Sequence, residues 1–155
     1  MTNDAEFAYR ETEALTTDPV GMVVVLYEML LKDLRRALSA IAVGDIEARA
    51  AAVRHSLLVL QQLQSTLDFQ RGGVVAENLD RFYNFSRAKL LEAQIKVSPE
   101  IFEQQITFVS GIRDAWEEVR NQQLAAVGTT VNLPRAVLDG GSAGVEGEVL
   151  GQWSA

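Results

Sequence analysis

The chain carries a single histidine, His55, and no cysteine, which leaves few ways to build a reactive site. A di-iron or di-manganese site in a helical bundle needs Glu-x-x-His on two helices, whereas Ala52 stands three residues before His55. Without cysteine, thiolate metal sites and structural disulfides are excluded. A Ser/His/Asp or Cys/His set also cannot be built around one histidine on an otherwise solvated face. We therefore expect no metal, no cofactor and no catalytic residue.

A phosphoacceptor role for His55 is the one chemical alternative. His55 follows Val53 by two residues, about 200° around a helix at about 100° per residue, so it should be exposed on the face opposite the apolar stripe. Phosphotransfer bundles place a basic residue three positions after the histidine and a glycine beside it, but Leu58 and Val59 stand there. A phosphorylated His55 would lack cationic support. We favour an ordinary surface histidine and keep phosphotransfer as the alternative.

Two further polar features have plain structural interpretations. Gly72-Gly73 is not a phosphate-binding loop, because no lysine follows it. Glu117 and Glu118 fit a solvated helix face that also carries nearby arginines. The residue types thus favour a binding or structural protein over an enzyme.

Composition narrows the class further. The 155 residues are 48% hydrophobic but only 7% aromatic, a mixture dominated by alanine, leucine and valine that suits packed helices. A net charge of −7 argues against general nucleic-acid binding, because phosphates would be repelled. The chain opens MTNDAEFAYRETE, without a basic and then apolar signal, and its longest apolar run, Met22–Tyr27, is too short to span a bilayer. We expect a soluble, cytoplasmic protein without membrane insertion.

Apolar spacing predicts four helices. The first has apolar residues at positions 23, 27, 30, 34, 37 and 41, and helices two to four repeat this spacing from Ile46, Val75 and Ile101. Asp18-Pro19 and Ser98-Pro99 are cap-then-proline starts. Helices of roughly 22–25 residues, about 33–37 Å long, joined by short loops must be antiparallel neighbours. The predicted fold is all-α, an up-down-up-down four-helix bundle.

The stretch Leu67–Tyr83, LDFQRGGVVAENLDRFY, contains the predicted hinge between helices two and three. Paired glycines tolerate positive φ, so Gly72-Gly73 can end one helix and reverse the chain. The expected organisation is therefore an N-terminal arm at 1–17, a bundle at 18–127 and a mostly disordered glycine-rich tail at 128–155. The end of the tail, Val145–Trp153, is either of no consequence or a segment that folds back onto an apolar groove.

The predicted helices carry more apolar surface than a single bundle core needs. Helix one is apolar on more than one stripe, and helix two has Leu58, Val59 and Leu63 outside its main row. Such a surplus is typical of a groove for an amphipathic partner or of a homodimer seam.

The order and spacing of many residues resemble the flagellar export chaperone family FliS over about residues 7–120. The residues that carry the resemblance are Tyr9 and Thr12, Thr16-Thr17-Asp18-Pro19, Leu26-Tyr27-Glu28, Gly44-Asp45, Leu67-Asp68, Gly72-Gly73, Asn78-Leu79, Phe82-Tyr83, Leu90 and Ala93. Three positions depart from the family pattern: Asp18 replaces a serine, Met29 stands where glycine is common, and Gln94 replaces an asparagine. The tail after residue 128 has no counterpart in that pattern.

The resemblance implies a cytoplasmic antiparallel bundle that binds the C-terminal segment of flagellin, which wraps around it largely as helices and cannot polymerise before export. Components of the flagellar export gate are possible further partners, and the expected state is a monomer or weak homodimer. We also expect the arm to be a lid over the groove. The predicted flagellin-binding residues are Phe7, Tyr9, Leu15, Leu26, Tyr27, Leu58, Leu63, Asn78, Leu79 and Tyr83.

Overall fold

The computed structural model describes residues 4–6 and 18–126, and the latter range forms an antiparallel four-helix bundle. The helices are α1 (Pro19–Val43), α2 (Ile46–Ser65), α3 (Phe69–Lys96) and α4 (Pro99–Ala125). Residues 4–6 form a helical turn beside α1. The predicted all-α fold is confirmed. The arm residues 7–17 and the tail from 127 onward lie outside the described residues.

The helix boundaries follow from local chemistry at three of the four starts. Asp45 accepts a hydrogen bond from the Ala48 N–H at 3.0 Å, Asp68 accepts from Gln70 and Arg71, and Ser98 accepts from Ile101 at 3.3 Å. These bonds satisfy N–H groups that the first turn of a helix leaves free. Gly44 ends α1 in the left-handed conformation, with φ of 71°.

The predicted side-chain cap at Asp18 is wrong, although Pro19 begins α1 as expected. Asp18 makes no capping hydrogen bond and instead accepts from the Arg120 guanidinium at 2.8 Å. This pair joins the start of α1 to the last turns of α4. A Cβ at Gly21 would lie 2.6 Å from the Asp18 carboxylate, so the absence of a side chain there leaves room for the pair.

The predicted hinge at Gly72-Gly73 is only partly right: the backbone leaves helical geometry at Gly73, with a positive φ, but the turn out of α2 lies elsewhere. The chain turns earlier, between Thr66, the C-cap of α2, and Asp68, the N-cap of α3. The glycine pair lies inside α3, where Gly73 has φ of 50° and ψ of −124° and bends the helix. Asp68 explains why the helix begins earlier than predicted, because aspartate is a strong N-cap residue and starts α3 before the glycines.

The four helices form a ring in which each packs against its neighbours in sequence, with α1 packed most extensively, against α2 and α4. One end of the bundle contains the start of α1, the α2–α3 turn and the end of α4; we call it the arm end. The opposite end, with the α1–α2 and α3–α4 turns, is the far end. The core runs between them and includes Leu30, Leu60, Leu90 and Phe102, each at most 1% exposed.

The core-facing side of α2 is rotated from the predicted apolar stripe, although Val53 and Leu60 on that stripe are buried as predicted. Val59 and Leu63, predicted as surplus surface, are 3% and 0% exposed and belong to the core. Ile46, predicted on the main stripe, is 66% exposed, and Leu58 is 62% exposed. Apolar spacing alone did not place the stripe, because α2 has apolar residues on two sides and only its neighbours choose between them.

Within residues 4–6 and 18–126, no helix combines the length and apolar character that a membrane crossing requires. The same residues contain no cluster of three or more side chains that could hold a metal ion.

Candidate functional site

A cavity of about 210 Å³ opens at the arm end of the bundle. Its walls come from α1, α3, α4 and the α2–α3 turn, which meet there because three of these elements begin or end at this level. Its lining is mainly apolar and consists of Val23, Thr66, Leu67, Asp68, Gly72, Val75, Ala76, Leu79, Tyr83 and Trp116. A cavity with apolar walls and a few polar groups at its edge is suited to an apolar side chain of a partner.

The bend in α3 shapes this cavity. Gly72 lines it without a side chain, and a Cβ added there would lie 2.9 Å from the Ala76 Cβ. Gly73 adopts a backbone conformation that residues with a side chain rarely reach. The glycine pair therefore bends α3 near its start, at Gly73, and leaves the cavity wall without a side chain at Gly72.

Two buried tyrosines meet beside the cavity. Tyr83 lines it, and its hydroxyl lies 2.7 Å from that of Tyr27, with the ring centroids 6.3 Å apart. The pair connects α1 to α3 across the core. Burial raises the pKa of both phenols well above the ordinary value, and for Tyr27 the neighbouring Tyr83 adds to this effect. Both hydroxyls are therefore neutral, and the pair is a hydrogen-bonded strut.

Removing one tyrosine hydroxyl should cost more than removing both. Tyr27→Phe leaves the buried Tyr83 hydroxyl without its partner, and Tyr83→Phe leaves the Tyr27 hydroxyl with Trp116 alone. Each single change should therefore lower the free energy of unfolding by roughly 1–2 kcal/mol. The double variant removes both groups and should recover part of that loss. Urea unfolding of the four proteins measures the cycle. Strictly additive losses would show that the two hydroxyls do not interact.

The core also holds polar side chains without hydrogen-bond partners among the described residues. They are both amide atoms of Asn78, the hydroxyl of Ser86 and the amide oxygen of Gln105, in residues that are 1–5% exposed. Buried polar groups are normally hydrogen-bonded. The three residues are exceptions to that rule in the described part of the chain.

The structure brings together only some of the predicted binding residues. Leu79 and Tyr83 line the arm-end cavity, and Tyr27 is bonded to Tyr83. Leu26 and Leu63 lie in the core, Asn78 is buried on α3, and Leu58 is exposed on α2. Phe7, Tyr9 and Leu15 lie outside the described residues. For all ten predicted binding residues, contact with a partner remains a prediction.

Sequence reasoning missed most of the other cavity residues as site residues. Val23 and Val75 lie on predicted apolar stripes, but that spacing does not show that α1, α3 and α4 enclose a cavity there. The glycine pair was the available signal, because two adjacent glycines inside a helix indicate a bend or a close approach.

A second polar feature joins α1 to α2. The Asp33 carboxylate, only 1% exposed as a residue, lies 2.5 Å from Nδ1 of His55, whose side chain is half exposed. Burial raises the pKa of Asp33, and the hydrogen bond to His55 and the nearby Arg36 offset part of that effect. The prediction that His55 is exposed is confirmed. Sequence reasoning missed Asp33, although an acid among Leu30, Leu34 and Ala37 on the apolar stripe was a signal.

The melting temperature of the parent protein should fall relative to that of the Asp33→Asn variant as the pH rises from 4 toward 7. A raised folded-state pKa means that the folded protein binds the proton more tightly, so stability falls as pH rises from 3.8, the ordinary value, through the raised value. The asparagine amide lacks this titration. Thermal unfolding between pH 4 and 7 measures the difference. If the melting temperature of the parent protein instead rises relative to that of the variant as the pH rises, the pKa of Asp33 is not raised.

A helical bundle with an apolar cavity at one end has the features of a partner-binding protein. A family model described as "Flagellar protein FliS" matches residues 1–123, so the chain belongs to the FliS family. This is a family of chaperones, not of enzymes.

Curated relatives agree with the family assignment. The chain is 32% identical over 124 residues to the flagellar secretion chaperone FliS of Campylobacter jejuni, covering 80% of this chain and 97% of that protein. It is 26% identical over 111 residues to the FliS of Bacillus subtilis, covering 72% and 82%. With the FliS of Salmonella typhimurium it shares 24% identity over 110 residues, covering 70% and 82%.

Proposed function

We propose that this protein is a cytoplasmic export chaperone that binds the C-terminal segment of flagellin and prevents its polymerisation before secretion. The relatives are named as flagellar secretion chaperones. The client, flagellin, comes from the family resemblance. An apolar bundle surface suits such a client, because a segment that folds on binding can cover a large area at modest affinity.

The observation that carries this proposal is the arm-end cavity. It is bounded by Leu79 and Tyr83, which belong to the family pattern, and it has room for an apolar side chain. An amphipathic client helix could place one anchor there and further anchors at i+3, i+4 and i+7 along the bundle.

The ten predicted contact residues divide by position within this proposal. Leu79 and Tyr83 would touch the client directly at the cavity, and Leu58 would contact it on the exposed side of α2. Tyr27, Leu26, Leu63 and Asn78 would hold the walls in place from the core. Phe7, Tyr9 and Leu15 would belong to an arm that covers the groove and moves aside.

Calorimetry with two flagellins tests the proposal. Flagellin with an intact C-terminal helical segment should bind, and flagellin truncated there should not. The chaperone should also delay polymerisation of the intact flagellin in proportion to the amount bound. Equal heats for both flagellins would overturn the flagellin assignment, while the family membership would stand.

The arm can be tested separately by deleting residues 2–15. If it covers the client groove, the deletion should change the dissociation constant for a C-terminal flagellin peptide. An unchanged constant would remove the lid from the proposal without affecting the client.

Phosphotransfer by His55 remains the alternative function for this chain. The contact with Asp33, however, gives His55 a structural role that does not require phosphotransfer. Incubation with a phosphorylated response regulator, with His55→Gln as control, distinguishes the two. A homodimeric interaction module would instead show a melting temperature that rises with protein concentration in the absence of any client. Binding to export-gate components belongs to the same proposal.

A further inference from the structure

A larger groove, of about 800 Å³, runs between α1 and α2 toward the far end of the bundle. Its floor is formed by small side chains, including Ala40, Ala48 and Ala51, which keep the two helices from filling the space between them. Val43, 78% exposed, stands at its far-end edge. The groove therefore offers apolar surface that the bundle itself does not cover.

The edges of this groove on α1 are basic. Arg35 and Arg36 both line it, while the two acids in its lining are already engaged. Asp33 is held by His55 and also lies 4.0 Å from the Arg36 guanidinium, and Asp45 accepts from the Ala48 N–H at the start of α2. An occupant with acidic and apolar side chains would complement this arrangement.

The same side of α1 already holds an acidic residue from a distant part of the chain. Asp4 in the N-terminal turn lies 3.0 Å from Nζ of Lys32 and 4.0 Å from the guanidinium of Arg36. These basic side chains can therefore attract an acidic segment of the protein itself.

The end of the chain has the composition that the groove requires. Residues 145–153 read VEGEVLGQW, with two glutamates among apolar residues. Val145, Val149 and Trp153 are four residues apart, so they share one side of the segment in either a helical or an extended conformation. Glu146 and Glu148 lie between the first two of these anchors.

The connecting chain is long enough to reach the groove. Residues 127–144 can span up to roughly 60 Å at about 3.3 Å per residue. The end of α4 lies beside the start of α1, as the Asp18–Arg120 pair shows. Arg36 lies 17 residues along α1 from Pro19, or about 25 Å at 1.5 Å per residue. The segment can reach even with a detour around the bundle.

We propose that residues 145–153 dock intramolecularly in the α1–α2 groove. Val145, Val149 and Trp153 cover its alanine-lined floor, and Glu146 and Glu148 pair with Arg35 and Arg36. The C-terminal segment thus covers apolar surface that the four helices leave exposed. This inference does not depend on flagellin, and its test uses none.

Trp153 provides the test, because the chain has only two tryptophans. In full-length protein carrying Trp116→Phe, Trp153 is the only tryptophan, and its fluorescence should lie at shorter wavelength and be less accessible to iodide than in a free peptide of residues 140–155. Circular dichroism confirms folding of each variant. Emission identical to that of the free peptide would overturn the proposal.

A charge swap tests the site. Arg35→Glu with Arg36→Glu, or Glu146→Arg with Glu148→Arg, should each lower the docking equilibrium about tenfold, because two weak surface attractions become repulsions. Combining both pairs should restore docking. The control, Arg81→Glu on the exposed side of α3, should change nothing. A combined variant that stays undocked would overturn the assignment of this groove.

Concentration distinguishes an intramolecular segment from one that binds a second copy. Docking within one chain should leave the Trp153 emission constant on dilution. Emission that moves to longer wavelength on dilution, with a matching fall in mass by ultracentrifugation, would assign the groove to a second copy and overturn the proposal.

Discussion

Val75→Phe should weaken flagellin binding about 30-fold, or about 2 kcal/mol, while leaving the bundle at least as stable as before. Val75 is partly buried and lines the cavity of about 210 Å³ at the arm end. A larger aromatic side chain there would occupy the space that the proposed client anchor needs. Because no side chain of the described residues fills this cavity, the added ring should gain apolar contacts with its walls rather than strain the core.

Val74→Phe is the matched control for this change. Val74 precedes Val75 on the same helix but is 37% exposed and does not line the cavity. It should bind flagellin like the parent protein. Calorimetry gives the two dissociation constants, and thermal unfolding shows whether both variants remain folded. Equal affinities for the two variants would place the client away from this cavity.

Gly73→Ala should lower the free energy of unfolding by roughly 2–3 kcal/mol and disturb the shape of the cavity. The backbone of Gly73, with φ of 50° and ψ of −124°, is open to glycine but strained for any residue with a Cβ. No atom lies within 4 Å of the position that a Cβ would take, so the cost comes from the backbone and not from a collision.

Gly44→Ala provides the comparison for this prediction. Gly44 also has a positive φ, of 71°, and no atom near its Cβ position, but its ψ of 24° places it in the left-handed helical region. Alanine reaches that region at a cost of roughly 1–2 kcal/mol. Urea unfolding should therefore rank Gly73→Ala as the more damaging change. A smaller loss at Gly73 than at Gly44 would mean that the bend in α3 relaxes without penalty.

Val75→Phe and Gly73→Ala together distinguish an effect on the shape of the cavity from an effect on the stability of the bundle. Val75→Phe fills the cavity without altering the backbone, whereas Gly73→Ala alters the backbone that forms its wall. If the cavity receives the client, both should weaken binding, but only the second should also lower the melting temperature.

Local signals in the sequence determined the four helices, their order and three of their starts. Cap residues such as Asp45 and Ser98 act on the N–H groups a few residues ahead of them, so their effect can be inferred without knowing the rest of the fold. Apolar spacing likewise predicted the bundle, and the order of the family residues indicated the chaperone family.

Only the tertiary structure decided which apolar residues form the core and which form cavities. Leu63 and Leu58 have the same side chain on the same helix, yet one is fully buried and the other is 62% exposed, because α1 and α3 cover only one of them. The role of Gly72-Gly73 also changed from a hinge to a bend within α3, because Asp68 caps the helix first. Burial and cavity shape depend on where neighbouring helices lie, and no local sequence pattern contains that information.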